Sequence, residues 1–217
     1  PYMLLLAVYC ILLSRCTGET DILVGSAAAG RRHANLENVV GMFVNMLAIR
    51  NYPHRHLVFS QFLDQVKTNT LDAFDNQEYP FDHLVEALGV EARPGRNPLY
   101  DVEFNLFTHP TGIDWDEPVE SEGLIFKKSL HHHETLPYDL GLSVRETRDS
   151  YTLELGYQTA LFKQDTVRDL ARQYLEILEL CLEEPGTLLE KMTAAPAPGP
   201  TVRETLLTQE EVADFDF

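Results

Sequence analysis

Val39-Val40-Gly41-Met42-Phe43-Val44-Asn45-Met46-Leu47-Ala48-Ile49-Arg50 is the stretch on which the fold turns. From Met42 to Arg50 it is rich in apolar residues and reads as a strand. Working outward, Asp21 to Ser26 reads as a second short buried strand, followed by the small-residue run Ala27 to Gly30 and then Arg31-Arg32. Residues 2–16 form an apolar helix, and Gly18 in the turn Thr17-Gly18-Glu19-Thr20 is placed to stop it.

On the other side, Val58, Phe59, Phe62, Leu63, Val66, Leu71 and Phe74 recur at helical spacing, so a helix spans Leu57 to Phe74. A shorter helix runs from about Pro80 to Leu88, with Pro80 near its first turn. Residues 89–98 hold Pro94, Gly95 and Pro98 and form a loop. From Tyr100 to Phe107 the pattern alternates, with Val102, Phe104 and Leu106 on one side. Residues 109–120 read as a surface loop and 123–128 as a strand. Residues 138–146 and 151–158 read as a hairpin around the polar tip 147–150. Gln164 to Leu182 is amphipathic, with Val167, Leu170, Tyr174, Ile177, Leu178 and Cys181 on one face. This order predicts an α/β fold, a mixed sheet flanked by helices.

The 217 residues suffice for one domain with its own core. With 34 acids against 17 Lys and Arg, the net charge of −17 argues against a nucleic-acid binder, whose phosphate contacts need a basic face. Cys10, Cys16 and Cys181 are odd in number and form no CxxC, so they read as small hydrophobes in a reducing, cytoplasmic setting. Met3 to Leu13 resembles a signal-peptide core, but no basic residue precedes it and it is too short to span a bilayer. A start at Pro1 instead of methionine predicts a piece of a longer chain. Three consecutive histidines, His131-His132-His133, cannot all face one ion from a strand, so no metal site is expected.

Several segments together resemble the core motifs of nonribosomal peptide synthetase condensation domains. Residues 39–50 resemble (I/V)GxFVNTxxxR; Asn76-Gln77-Glu78-Tyr79-Pro80-Phe81-Asp82 resembles (H/N)QDYPFE; Arg93-Pro94-Gly95-Arg96-Asn97-Pro98-Leu99 resembles RDxSRNPL. Asp21 to Arg31 resembles DIxVGxPxAGR, and Pro137 to Leu142 resembles FDLxLxxxE. Leu206 to Glu211 resembles the linker into an adenylation domain. Met46 stands where the family usually has Thr, and the third motif lacks its Asp and is one residue short.

The resemblance implies a chloramphenicol-acetyltransferase-like lobe, the C-terminal half of a two-lobed condensation domain. Residues 1–190 would form the lobe and 191–217 a Pro/Ala-rich linker. The family joins aminoacyl and peptidyl thioesters carried on phosphopantetheine arms of donor and acceptor carrier proteins. No cofactor would be bound directly, and the partners would be the N-terminal lobe, the carrier proteins and an adenylation domain, without nucleic acid or membrane. The family's HHxxxDG motif occurs nowhere in the sequence, since His131–His133 is followed by Glu134-Thr135-Leu136-Pro137, so no catalytic residue is assigned.

Gly25, Ser26, Ala27 and Asn45 are candidate tunnel residues. Gly41, Arg50, Gln77, Tyr79, Arg96 and Asn97 are expected to be structural, with an acidic partner for Arg96. A recruitment lobe that binds only a carrier protein or tailoring enzyme, an epimerising or cyclising relative, and an independent acyltransferase-like protein are the alternatives. Removal of the other lobe should leave an apolar patch beside Gly25 to Ala27 and the 138–158 hairpin.

Overall fold

A computed structural model describes residues 1–91, 95–108, 119–121, 123–126, 136–147 and 150–194. Helix α1, Tyr2–Thr17, is apolar on every side instead of along one stripe. Such a helix needs walls all round, and from Leu6 to Ile11 its residues are fully buried. Gly18 ends it at φ 77°, donating its N–H to Ser14 O at 2.8 Å.

The remaining α-helices and strands follow in chain order. They are β1 (Ile22–Ala28), β2 (Asn45–Asn51), α2 (Phe59–Asp75), α3 (Phe81–Leu88), β3 (Val102–Phe107), β4 (Val119–Ser121), β5 (Leu124–Phe126), β6 (Leu140–Glu146), β7 (Tyr151–Tyr157), α4 (Gln164–Glu183) and α5 (Leu189–Thr193). Five strands form one mixed sheet in the order β2-β1-β3-β6-β7. The two outer pairings are antiparallel, and β3 runs parallel to both β1 and β6. β4 and β5 form a separate two-stranded ribbon.

α1 lies against one face of this sheet, with α2, α4 and α5 packed on it from outside. Strand alternation sends Ile22, Val24, Ser26 and Ala28, then Phe104, then Leu140, Leu142 and Val144 into that layer. The Phe104 ring meets the rings of Tyr2 and Tyr9 at 5.2 and 6.2 Å. Tyr9 donates its hydroxyl to Leu140 O and Tyr174 donates to Leu5 O, so both buried phenols are satisfied. α2 contributes Phe59, Phe62 and Val66, and α4 contributes the apolar face read from its sequence. Leu71 of α2 points outward, against its place in the helical pattern.

β2 begins at Asn45, three residues later than its composition predicts. The preceding loop is claimed by other contacts. The Arg31 guanidinium donates to the carbonyls of Leu36, Val39 and Gly41 and lies 4.4 Å from the Phe43 ring centre. Gly30, at φ 68°, lies so close to Phe43 O that a Cβ there would stand 1.9 Å away. Helix α5 was not expected from the sequence. Its five residues are too few for periodicity, and backbone bonds from Phe59 N to Thr187 O and from Leu189 N to Leu57 O tie it to the start of α2.

Among the described residues, large exposed apolar side chains sit at Val40, Met42 and Val44 and along β5; none lies at Gly25 to Ala27, and beside the β6–β7 hairpin Phe107 of β3, opposite Arg145, is exposed. No helix among the described residues is long and apolar enough to cross a membrane.

Candidate functional site

The sheet's other face carries the candidate site. Register aligns Ala48, Gly25, Glu103, Gly141 and Gly156 in one row across all five strands. The next row is Met46, Ala27, Asn105, Ser143 and Glu154. Since Phe104 points at α1, Glu103 and Asn105 must point away from it.

Two tyrosines flank Glu103. The Tyr100 ring lies over Gly25, where a Cβ would stand 2.2 Å from it. The Tyr138 ring lies over Gly141, where a Cβ would stand 2.5 Å away, and its hydroxyl reaches above Gly156. Only glycine fits beneath these rings. Residues 95–101 and 136–139 fix both of them. Arg96 bridges Asp101 and Asp139, each at 3.0 Å, and these acids directly follow Tyr100 and Tyr138 in the chain. Asp139 N donates to Asp101 O at 2.7 Å, and Asn97 Oδ1 accepts from the N–H groups of Leu99 and Tyr100. The Phe81 ring meets Tyr100 edge-on at 5.8 Å, placing α3 beside the site.

Burial raises the Glu103 carboxyl above the ordinary carboxylate range, and the Asn105 amide only partly offsets this. Burial also raises both phenols, and the neighbouring Glu103 charge raises them further. No ion pair among the described residues involves Glu103; Arg145 is engaged by Glu154 and Arg96 by its two aspartates. Among the described residues the face therefore offers a carboxylate with no cationic partner and the part-exposed phenol of Tyr138, with the buried Tyr100 ring alongside, an arrangement that suits binding and orientation.

Of the sequence-derived candidates, Gly25 lies beneath Tyr100, and Ala27 is exposed on this face with its N–H held by Asn105 Oδ1 at 2.9 Å. Ser26 points the other way, fully buried, and accepts the Tyr2 hydroxyl at 2.7 Å. Asn45 donates to the carbonyls of Gln77 and Tyr79 and accepts from Phe81 N, which commits its amide to the turn before α3. Gln77 bonds back to Phe74 O, while Tyr79 is half-exposed with its ring near His83. Arg50 forms a forked pair with Asp21 at 2.7 and 2.5 Å, which holds the Asp21 carboxyl below its usual range. Gly41 contributes its carbonyl to Arg31.

His131–His133 and residues 195–217 of the expected linker lie outside the described residues. Sequence reasoning overlooked Glu103, Tyr100, Tyr138 and Arg31. For Glu103 the available signal was the one charge within the alternating strand 102–107.

Residues 1–198 match the family described as the condensation domain. Tyrocidine synthase 3 of Brevibacillus parabrevis is 43% identical over 189 residues, and bacitracin synthase 1 of Bacillus licheniformis is 39% identical over 191. These alignments cover 87% and 88% of this chain but span only 3% and 4% of the length of those relatives. Among solved structures, holo-AB3403, a four-domain nonribosomal peptide synthetase bound to AMP and glycine, superposes with a TM-score of 0.79 at 20% identity, covering 88% of this chain and 15% of that one. The X-domain in complex with OxyB from teicoplanin biosynthesis gives 0.74 at 22% identity, with 88% and 42% covered. The mixed sheet with its helical layer is thus the fold of these domains, and the chain belongs to the condensation-domain family of nonribosomal peptide synthetases.

Proposed function

We propose that this chain is the C-terminal lobe of a condensation domain that joins two carrier-protein-bound thioesters through an amide bond. The acceptor amine attacks the donor thioester carbonyl, the C–N bond forms, and the donor thiol leaves on its phosphopantetheine arm. Residues 1–190 supply one wall of the substrate passage and part of the carrier-protein docking surface. Residues 191–217 lead toward an adenylation domain. The HHxxxDG histidines belong to a preceding lobe, and the assembly works in the cytoplasm.

One observation carries this reading: the 43% identity to tyrocidine synthase 3 extends along 87% of the chain. Gly25, Ala27 and the Tyr100–Glu103–Tyr138 face form the passage wall. Ser26 and Asn45, turned toward Tyr2 and toward residues 77–81, support it from behind.

The test joins this chain to its preceding lobe and supplies loaded donor and acceptor carrier proteins. Mass spectrometry should detect a dipeptidyl thioester with the joined protein and none with residues 1–217 alone. Turnover by the lone chain would refute the division of labour. Carrier-protein binding without any product from the joined protein would favour the recruitment reading.

A further inference from the structure

We propose that Glu103, between Tyr100 and Tyr138, is a specificity-determining residue that receives an aliphatic primary ammonium group of the aminoacyl substrate. The ligand's identity rests on the function proposed above, while the ammonium preference rests on the geometry of this face. Three observations converge. Glu103 stands at the centre of the sheet face opposite α1, with Gly25 and Gly141 as its lateral neighbours, so the strands beside it contribute no side chains of their own there. The rings of Tyr100 and Tyr138 occupy those two glycine positions and stand on either side of the carboxylate. Nearby cations among the described residues already have partners: Arg96 has Asp101 and Asp139, and Arg145 has Glu154.

A carboxylate flanked by two aromatic rings can accept the N–H groups of an ammonium ion, which gains from both the charge and the ring quadrupoles. An anionic ligand would be repelled, and a neutral one would leave the half-buried carboxylate uncompensated. Burial keeps the Glu103 carboxyl raised in the free protein, and no cation among the described residues pairs with it. Arg96 and Asn97 act as positioning residues, since they hold the segments that present both tyrosines.

Two parts of an aminoacyl thioester carry this chemistry: the α-ammonium of any residue and the side-chain ammonium of a basic one. Nonhydrolysable pantetheine amides separate them. Nα-acetyl-lysyl pantetheine amide carries only the side-chain group, leucyl pantetheine amide only the α-group, and Nα-acetyl-norleucyl pantetheine amide neither. Binding to the 217-residue chain is followed by the NMR shifts of the Glu103 and Asn105 amides, and by calorimetry.

At least one of the two ammonium ligands should bind about tenfold more tightly than the neutral one. Glu103→Gln should erase that preference by weakening the ammonium ligands, without lowering the melting temperature or the neutral ligand's affinity. The wild-type comparison needs no variant, so a folding defect in Glu103→Gln would not remove the test. Equal affinities for all three ligands, or a preference that survives Glu103→Gln, would overturn the proposal. Ammonium selectivity without product from the joined domain would sink the amide-forming reading alone; product without selectivity would sink this inference alone.

Discussion

Two apolar stretches of this chain meet opposite fates. Met3 to Leu13 in α1 is enclosed, with Leu6 to Ile11 fully buried. Val39 to Val44 is nearly as apolar, yet Val40 is 100% and Met42 86% exposed. α1 can satisfy its own backbone and present side chains all round, so the sheet on one side and α2, α4 and α5 on the other can enclose it. The 39–44 loop has its backbone held by Arg31 and pressed against Gly30, which leaves its side chains projecting outward. Hydrophobicity sets the incentive for burial, while backbone hydrogen bonding decides which stretch achieves it.

The most direct way to break this comparison is to truncate one residue in each stretch. Leu6→Ala should cost about 2–5 kcal/mol in urea unfolding, the range for a large-to-small change in a closed core. Val40→Ser should change stability by less than about 0.5 kcal/mol. Similar losses at both sites would mean that the loop is covered after all. The exposed run should instead govern association. Light scattering should show self-association of the isolated chain, reduced in Val40→Ser/Met42→Ser and on adding the N-terminal lobe proposed as its partner. A monodisperse wild type indifferent to that lobe would contradict this.

A smaller effect is expected where the loop is anchored. Gly30→Ala places a methyl group against Phe43 O at positive φ and should cost roughly 1–3 kcal/mol. Gly18→Ala, also at positive φ but with nothing within 4 Å of a Cβ, should cost only about 1 kcal/mol. If thermal melts rank the two in the reverse order, the Gly30–Phe43 approach is not a constraint on the loop.

Cysteine reactivity sharpens the contrast without altering the chain. Cys10, within α1, has its thiol pushed up to about 12 by burial, and Cys181 likewise to about 12. Cys16, at the exposed end of the same helix, is also raised by partial burial, with Arg15 offsetting some of it, but its accessibility should let it react with a thiol reagent in the native protein at pH 8, while the other two wait for unfolding. Three equal rates would show that α1 is not enclosed.

The smallest expected effect is electrostatic. Arg50 depresses the Asp21 carboxyl, so the pair's contribution is present above the unfolded aspartate value near 3.9 and is lost as pH falls through the lower folded value. Both side chains are well exposed, and salt should weaken the effect. Asp21→Asn should flatten the acid limb of the stability–pH curve slightly; a change across pH 6–8 would point to another group.

Most of the helical layer was legible because the relevant patterns are local. The buried face of α4 follows directly from its spacing, and the end of α1 from Gly18. The start of β2 was misread because Met42 and Val44 are strand-like in composition, whereas the contacts that exclude them from the sheet come from Gly30 and Arg31. The candidate site was less legible still. Alternation placed Val102, Phe104 and Leu106 together, but only strand order reveals that Glu103 faces two glycines from β1 and β6 and the tyrosines above them. That coincidence depends on pairings between segments far apart in the chain, which no sequence window contains.

The enclosure of α1 also has a consequence in time. Its outer wall includes Tyr174, Ile177 and Cys181, and the hydroxyl of Tyr174 reaches back to Leu5 across 169 positions. During synthesis α1 is made long before α4, and at ribosomal speed that interval is on the order of 10–30 s. Throughout it, the most apolar of the described helices has no complete shelter and should be a substrate for holding chaperones. Folding to the native core must wait until α4 has left the ribosome, so slowing translation between β7 and α4 should prolong chaperone occupancy of α1.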